Sequence, residues 1–203
     1  MNYRRRAPVI LARLVHRQLA RPSAIAGRLM NVANARINRQ AIDLVEVAPD
    51  HRMLEVGFGG GAVLARVVGR CAFVAGIDPS EASVRAARRR FRRDLAGGRL
   101  EIVAAEVGSI PFPDGAFDRA LAVNTIYFWA EPERGLQEVR RVLAPGGRLV
   151  LGVEDRTVPR AIAEAGFRVY QDTELEGLLA DAGFSEVRCE RRGINIFALG
   201  DKV

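Results

Sequence analysis

The residues from Glu55 to Gly61 read Glu-Val-Gly-Phe-Gly-Gly-Gly, between an apolar run at 52–56 and a stretch of helical periodicity. Glycines in such a turn permit backbone angles that side chains resist and let a ligand come close to the main chain. A helix starting near Gly61 would aim unpaired N–H groups at whatever lies above the turn. Twenty-one residues beyond Gly57, the run Gly76-Ile77-Asp78 ends in an acid. An acid at that strand end accepts hydrogen bonds from both hydroxyls of a ribose. The other reading of Asp78 is a cap on the helix that follows Pro79-Ser80. The glycine turn alone is shared by many nucleotide binders, and its Gly57–Ala62 segment also fits the G-x-G-x-x-A form used for dinucleotides. Glycine turn, strand end and acid together favour ribose binding.

Other chemistries leave no mark. No Ser–His–Asp set, paired-acid motif or cluster at metal-ligand spacing is evident. His16 and His51 lack an identifiable partner, and Cys71 and Cys189 stand far apart, so both thiols read as small buried apolar groups.

The elements that must position these residues follow from periodicity. From residue 51 onward, short apolar runs alternate with helical patterns, as in a parallel sheet covered on both faces. Strands are expected at 52–56, 73–78, 100–104, 117–123, 148–153, 186–190 and 194–199, and helices at 61–68, 80–93, 132–143 and 173–182. Only Arg191-Arg192-Gly193 separates the last two strands, which predicts an antiparallel hairpin at the sheet edge. The run 111–115, Pro-Phe-Pro-Asp-Gly, reads as a turn.

Upstream of Ala48-Pro49-Asp50 the pattern changes. Leu11, Leu14, Val15 and Leu19 recur at helical spacing with Arg13, His16 and Arg17 on other faces. Ser23 is suited to cap a second short helix, and Ile37, Ala41, Leu44 and Val45 line one face of a third. Two units are therefore expected: a basic helical arm or lid at 1–48 and a core at 49–203. The formal charge of +7 is uneven, with nine arginines and no acid in residues 1–40 against 22 basic and 21 acidic groups in 51–203. Arg13, His16 and Arg17 break the apolar run that an export signal needs. No stretch reaches the roughly eighteen apolar residues of a membrane-spanning helix. A cytoplasmic location is the expectation.

In order along the chain, LEVGFGGG, GIDPS, AEVGSIPFPDGAFDRALAVNTIYF, EVRRVLAPGGRLVLG and LEGLLADAGFSEV resemble class I S-adenosylmethionine-dependent methyltransferases. The likeness covers roughly residues 50–200 and is strongest to the small-molecule group that includes ubiquinone and menaquinone C-methyltransferases. It implies a Rossmann-like α/β fold: a seven-stranded sheet, mostly parallel with a C-terminal antiparallel hairpin, with helices on both faces. It implies S-adenosyl-L-methionine as cofactor. Gly57, Gly59 and Gly61 would pass beneath the cofactor, with Phe58 in the same turn, and Glu55 would help hold the methionine ammonium. Asp78, followed by Pro79, would take the ribose hydroxyls. Glu106 stands where the family usually has Asp and would accept from the adenine amino group, with the Val107 N–H serving the ring nitrogen. Asn124 falls where main-chain contacts reach the methionine portion.

Methyl transfer needs orientation and exclusion of water more than protein-borne reactivity. Tyr127, Phe128 and Trp129 follow the fourth strand and are placed to wall a substrate space. Tyr127 is the candidate to hold or deprotonate a substrate hydroxyl, and Tyr170 is a further candidate for the same pocket. The expected substrate is a small molecule. Nucleic acid is not favoured, since the core is nearly neutral and lacks the Asn/Asp-Pro-Pro-aromatic motif, although the basic arm keeps an RNA or DNA methyltransferase as an alternative. The same arm suits peripheral contact with an anionic membrane. An NAD(P)-binding oxidoreductase and a cofactor-binding module without turnover are the other readings.

Overall fold

The computed structural model describes residues 34–155, Ala163, Gly166 and 168–203. The helices expected around Leu11–Leu19 and after Ser23, and most of the arm or lid at 1–48, lie outside the described residues. In chain order the elements are α1 (Ala35–Val45), β1 (Arg52–Val56), α2 (Leu64–Val67), β2 (Phe73–Asp78), α3 (Glu81–Arg90), α4 (Arg92–Ala96), β3 (Leu100–Ala104), β4 (Phe117–Val123), a 3-10 turn (Ile126–Phe128), α5 (Pro132–Val142), β5 (Leu143–Glu154), α6 (Asp172–Asp181), β6 (Ser185–Arg192) and β7 (Asn195–Asp201).

The seven strands form one sheet in the order β3-β2-β1-β4-β5-β7-β6. β1 to β5 pair in parallel, while β7 runs antiparallel to both β5 and β6. The terminal hairpin is as expected, and hydropathy explains its insertion order. β7 is apolar and buried along nearly its whole length, so it takes the inner place beside β5. β6, Ser-Glu-Val-Arg-Cys-Glu-Arg-Arg, carries charge on an edge where unpaired backbone must deter further strand addition. Two apolar layers cover the sheet. One joins it to Leu136, Val139 and Val142 of α5 and to Leu175 and Leu179 of α6; the other joins it to α1, α2 and α3 through Ile37, Ala41, Val45, Leu64 and Val84.

α1 buries the face expected from its spacing, Ile37, Ala41, Leu44 and Val45, together with Ile42 and Asn38. It is tied to the hairpin by Asn195 Nδ2 donating to Gln40 Oε1 at 2.6 Å. Its far end is tied to β5 by the Arg148–Glu46 pair at 2.8 Å. His51 accepts from the Ala48 N–H through Nδ1 at 3.0 Å, closing the turn into β1 at the end of the sheet remote from the glycine turn.

Three elements depart from the periodicity by more than two residues at one end or are divided. The helix expected at 61–68 is the single turn α2, because Gly61 has φ +67°, a left-handed value that a helix cannot contain. The helix expected at 80–93 is two helices parted at Phe91, whose buried ring turns inward against the glycine turn. β5 begins five residues early, since Leu143 already pairs with Phe117 before the Pro145-Gly146-Gly147 irregularity. The 111–115 turn is held to α5 by Arg141, which donates to the Ile110 and Phe112 carbonyls and to Asp114 while pairing with Glu138.

Candidate functional site

The chain leaves β1 toward β2 on one side and resumes at β4 on the other, so the crevice beyond the carboxyl ends of β1 and β4 is the topological switch point of the sheet. Ligands of open α/β sheets bind there. Glu55, Gly57, Asn124 and Thr125 all sit at that end. The β1–β4 register puts Val56 beside Ala122, so Gly57 and Asn124 follow their strands almost side by side.

The glycine turn is built by backbone conformation. Gly57, Gly59 and Gly61 have φ of +74°, +49° and +67°. Gly57 donates to the Ile77 carbonyl at 2.8 Å and Gly61 to the Phe58 carbonyl at 2.7 Å. A Cβ on Gly57 would stand 2.4 Å from Thr125 Cγ2, whereas nothing lies within 4 Å of the corresponding position on Gly59. Gly57 is thus required by its neighbour, and Gly59 faces open space. Gly57→Ala combines left-handed strain with that clash. It is expected to cost about 2–4 kcal/mol of stability, read as a lowered urea midpoint at unchanged m-value.

Asp78 joins the turn to the end of β2. Its Oδ2 accepts from the Gly59 N–H at 2.8 Å and its Oδ1 from the Ser80 N–H at 2.9 Å. The helix α3 is capped by the Ser80 side chain accepting from the Ser83 N–H, so Asp78 does not serve as the cap. A carboxylate has about four acceptor positions. Two backbone anchors orient Asp78, and each of its oxygens can accept more than one hydrogen bond, as a ribose diol requires. Pro79 is half-buried between these anchors.

Glu55 is 6% exposed, and its Oε2 is buried without a hydrogen-bond partner. Burial pushes its carboxyl up to about 8; a hydrogen bond from the Leu64 backbone opposes this and the charge of Asp78 adds to it. Two more buried oxygens at this end of the sheet lack partners, Asn124 Oδ1 and Thr125 Oγ1. Asn124 itself has φ +54°. Its backbone N–H donates to the Gly152 carbonyl at 2.8 Å, and its Nδ2 donates to Asn34 Oδ1 at 3.2 Å. Each unpartnered buried acceptor costs about 1–3 kcal/mol. Three at the ends of two adjacent strands make a site that needs donors, and an ammonium group brings three. The residues present fit S-adenosylmethionine: Glu55, once ionised, would supply countercharge to the ammonium, Asn124 and Thr125 would offer neutral acceptors, and Asp78 would offer a ribose contact.

Thr125 and Asn34 were not legible as site residues. Thr125 directly follows Asn124 at the end of an apolar strand, the one local signal that it belongs here. Asn34 is 90 residues away in sequence and is brought in only by packing of α1.

The remaining expected residues divide. The β2–β3 register sets Asp78 beside Ala104, so Glu106 lies two residues further along the adjoining loop, with its side chain exposed and its carbonyl accepting from Ser109. Val107 is 9% exposed and lies against Gly135. Phe58 enters the turn through its backbone, its side chain being turned into the core. It is 4% exposed, and its ring packs over Gly76, where a Cβ would lie 2.9 Å from it. Its part in the turn is the carbonyl that receives Gly61.

The two substrate-side tyrosines are deeply enclosed. Tyr127 is 4% exposed, its hydroxyl donating to the Glu154 carbonyl at 3.3 Å and accepting from the Glu154 N–H at 3.2 Å. Burial holds its phenol well above the ordinary value, which disfavours loss of its proton at neutral pH. It is a strut between β4 and the end of β5. Tyr170 is likewise buried, its ring 6.4 Å from that of Tyr127, with the Arg168 guanidinium 4.9 Å from its centre. Burial raises its phenol to about 12. Trp129 rests on Gly135, where an added Cβ would approach the indole to 2.8 Å. Trp129 and Phe128, both half-buried, are the aromatic groups after β4 that keep accessible surface.

Burial also raises both thiols, Cys189 to about 12, which disfavours their thiolate forms. Among the described residues no group of His, Cys, Asp and Glu is placed to hold a metal ion, and no helix is long and apolar enough to cross a membrane.

Comparison with known proteins agrees with the geometry. A methyltransferase-domain family model matches residues 54–151. The chain is 30% identical over 175 residues to the uncharacterized methyltransferase YdaC of Bacillus subtilis (strain 168), covering 84% of this chain and 91% of that protein. It is 34% identical over 153 residues to the demethylmenaquinone methyltransferase of Clavibacter sepedonicus, covering 74% of this chain but 60% of that one. In fold it superposes with a TM-score of 0.72 on the crystal structure of an S-adenosylmethionine-dependent methyltransferase from Aquifex aeolicus, at 21% identity over 90% of this chain and all of the other. The seven-stranded sheet with its reversed terminal strand, the glycine turn bound to Asp78 and the buried acceptors at the switch point have one common reading: the chain belongs to the class I S-adenosylmethionine-dependent methyltransferases.

Proposed function

We propose that this enzyme methylates a small, largely apolar organic molecule by in-line displacement at the carboxyl end of β4. The observation that carries the reading is the character of that end of the sheet. The polar atoms seeking partners gather toward Glu55, Asn124 and Thr125, while the chain leaving β4 supplies the aromatic residues Phe128 and Trp129, each with accessible surface. An apolar acceptor loses water on entering such surroundings. Relatives named demethylmenaquinone methyltransferases support an acceptor of this kind.

S-Adenosylmethionine supplies an activated methyl group on a sulfonium sulfur. Asp78 and the glycine turn would hold the ribose end, Glu55, Asn124 and Thr125 would hold the methionine end, and Glu106 with the Val107 N–H would receive the adenine. Tyr127, locked to the Glu154 backbone, keeps the wall after β4 rigid. Alignment and exclusion of water are the protein's contribution to rate. A hydroxyl, thiol or activated carbon of an acceptor must reach this site already acidic enough to lose its proton without Tyr127.

The test supplies methyl-labelled cofactor and the enzyme to fractionated cell extract. Label is expected in the organic-extractable small molecules, and Tyr127→Phe is expected to keep kcat within about twofold, since a strut and not a base is altered. Label confined to nuclease-sensitive material would overturn the small-molecule reading. A loss of kcat near a thousandfold in Tyr127→Phe, at unchanged fold, would restore Tyr127 as a general base.

A further inference from the structure

Asn34 is the N-cap of α1, yet its side chain makes no capping hydrogen bond. Asparagine is among the best N-cap residues because its side-chain oxygen satisfies an unpaired N–H of the first turn, an interaction worth about 1 kcal/mol. Here that oxygen is turned away from the helix and accepts instead from Asn124 Nδ2, at 3.2 Å and across 90 residues of sequence. The consequence falls on Asn124. A primary amide has one donor and one acceptor end; with Nδ2 held by Asn34, the other end, Oδ1, is left buried and without partner beside the switch point. The left-handed backbone at Asn124, φ +54°, fixes where this amide starts, and the bond to Gly152 fixes its peptide. Without Asn34 nothing among the described contacts decides which way the amide faces.

We propose that Asn34 is a positioning residue for the methionine end of the cofactor. By holding Asn124 Nδ2 it presents Asn124 Oδ1 as an acceptor for the ammonium, and it forgoes capping α1 to do so. The proposal rests on the assignment of this site to S-adenosylmethionine and extends it to a residue outside the family's motifs. It makes docking of α1 and binding of the amino-acid moiety a coupled pair: each favours the other through one amide–amide bond.

Asn34→Ser separates this role from an ordinary structural one. Serine caps a helix about as well as asparagine, but its shorter side chain cannot span to Asn124. The cap gained offsets the amide bond lost, so the thermal midpoint without ligand is expected to stay level. Affinity for S-adenosylhomocysteine by titration calorimetry is expected to fall about tenfold, the loss of one oriented hydrogen bond. Affinity for methylthioadenosine, which carries the same adenosine but no amino-acid end, is expected to be unchanged. Equal losses for both ligands, or no loss for either while the wild-type chain binds both, would overturn the role of Asn34 alone. A wild-type chain that bound neither would overturn the cofactor assignment itself and this proposal with it.

Discussion

Glu55→Gln is expected to make the ligand-free protein more stable at alkaline pH and to cripple cofactor binding at the same time. Burial holds the Glu55 carboxyl near 8 against an ordinary value of 4.5. At pH below the ordinary value the group is protonated in the folded and unfolded chain alike. As pH rises from there to about 8, the unfolded chain loses this proton while the folded chain retains it. The unfolded state then binds fewer protons and stability falls across that window, levelling off above it. Glutamine is neutral at every pH and escapes the penalty. The variant should melt at least about 4 °C above wild type near pH 8.5 and close to it near pH 5.

Cofactor affinity should show the opposite preference. An ammonium beside Glu55 favours the carboxylate, so binding releases the Glu55 proton and wild-type affinity climbs from about pH 6 to about pH 8, where the ligand's own α-amino group begins to deprotonate. Glu55→Gln should lose about 100-fold in affinity for S-adenosylhomocysteine near pH 8, the scale of one charge-assisted hydrogen bond, and should show no rise on the acid side. Methylthioadenosine should bind both forms alike. A variant that melts lower at alkaline pH and keeps the pH dependence would show that Glu55 does not face the ammonium.

Asp78→Asn should have the second largest effect and a different pattern. Both carboxylate oxygens accept backbone N–H groups, from Gly59 and Ser80. An amide offers one oxygen and one NH2, so one of those N–H groups must meet a donor. The glycine turn loses an anchor as the ribose loses its charged acceptor. The expected outcome is a loss of stability of about 1–3 kcal/mol and at least about 100-fold weaker binding. Because ribose is common to all the adenosine ligands, S-adenosylhomocysteine and methylthioadenosine should lose equally. Binding of both within about threefold of wild type would remove Asp78 from the ribose site.

The contrast between these variants shows why some of the site was legible and some was not. The glycines and Asp78 announce themselves because the demand on them is local: a left-handed backbone at Gly57 and a strand-end acid have residue signatures. The strand sequence was equally readable, since alternation of apolar runs with helical periods is a property of neighbouring residues. Tyr127 misled for the complementary reason. An aromatic hydroxyl just after a strand looks like a substrate contact until its partner is known, and the Glu154 backbone that engages it comes 27 residues later. The place of the Phe58 ring, over Gly76, was likewise decided by a strand distant in sequence. Helix lengths at 61–68 and 80–93 were overrun because periodicity does not register a single left-handed glycine or a ring pulled inward at Phe91.

What the amino-acid order determined by itself is therefore the class of the molecule: an alternating α/β chain, a glycine turn followed by a strand-end acid and, through five ordered segments, a resemblance to one cofactor family. Tertiary structure decided which polar atoms are buried without partners, that burial raises the Glu55 carboxyl to about 8, that Tyr127 is a strut, and that Asn34 reaches Asn124 across 90 residues of sequence. The physical reason is that burial and unmet hydrogen-bonding capacity are properties of a surrounding, assembled from residues distant in the chain, and a carboxylate or amide carries no sign of them until that surrounding exists.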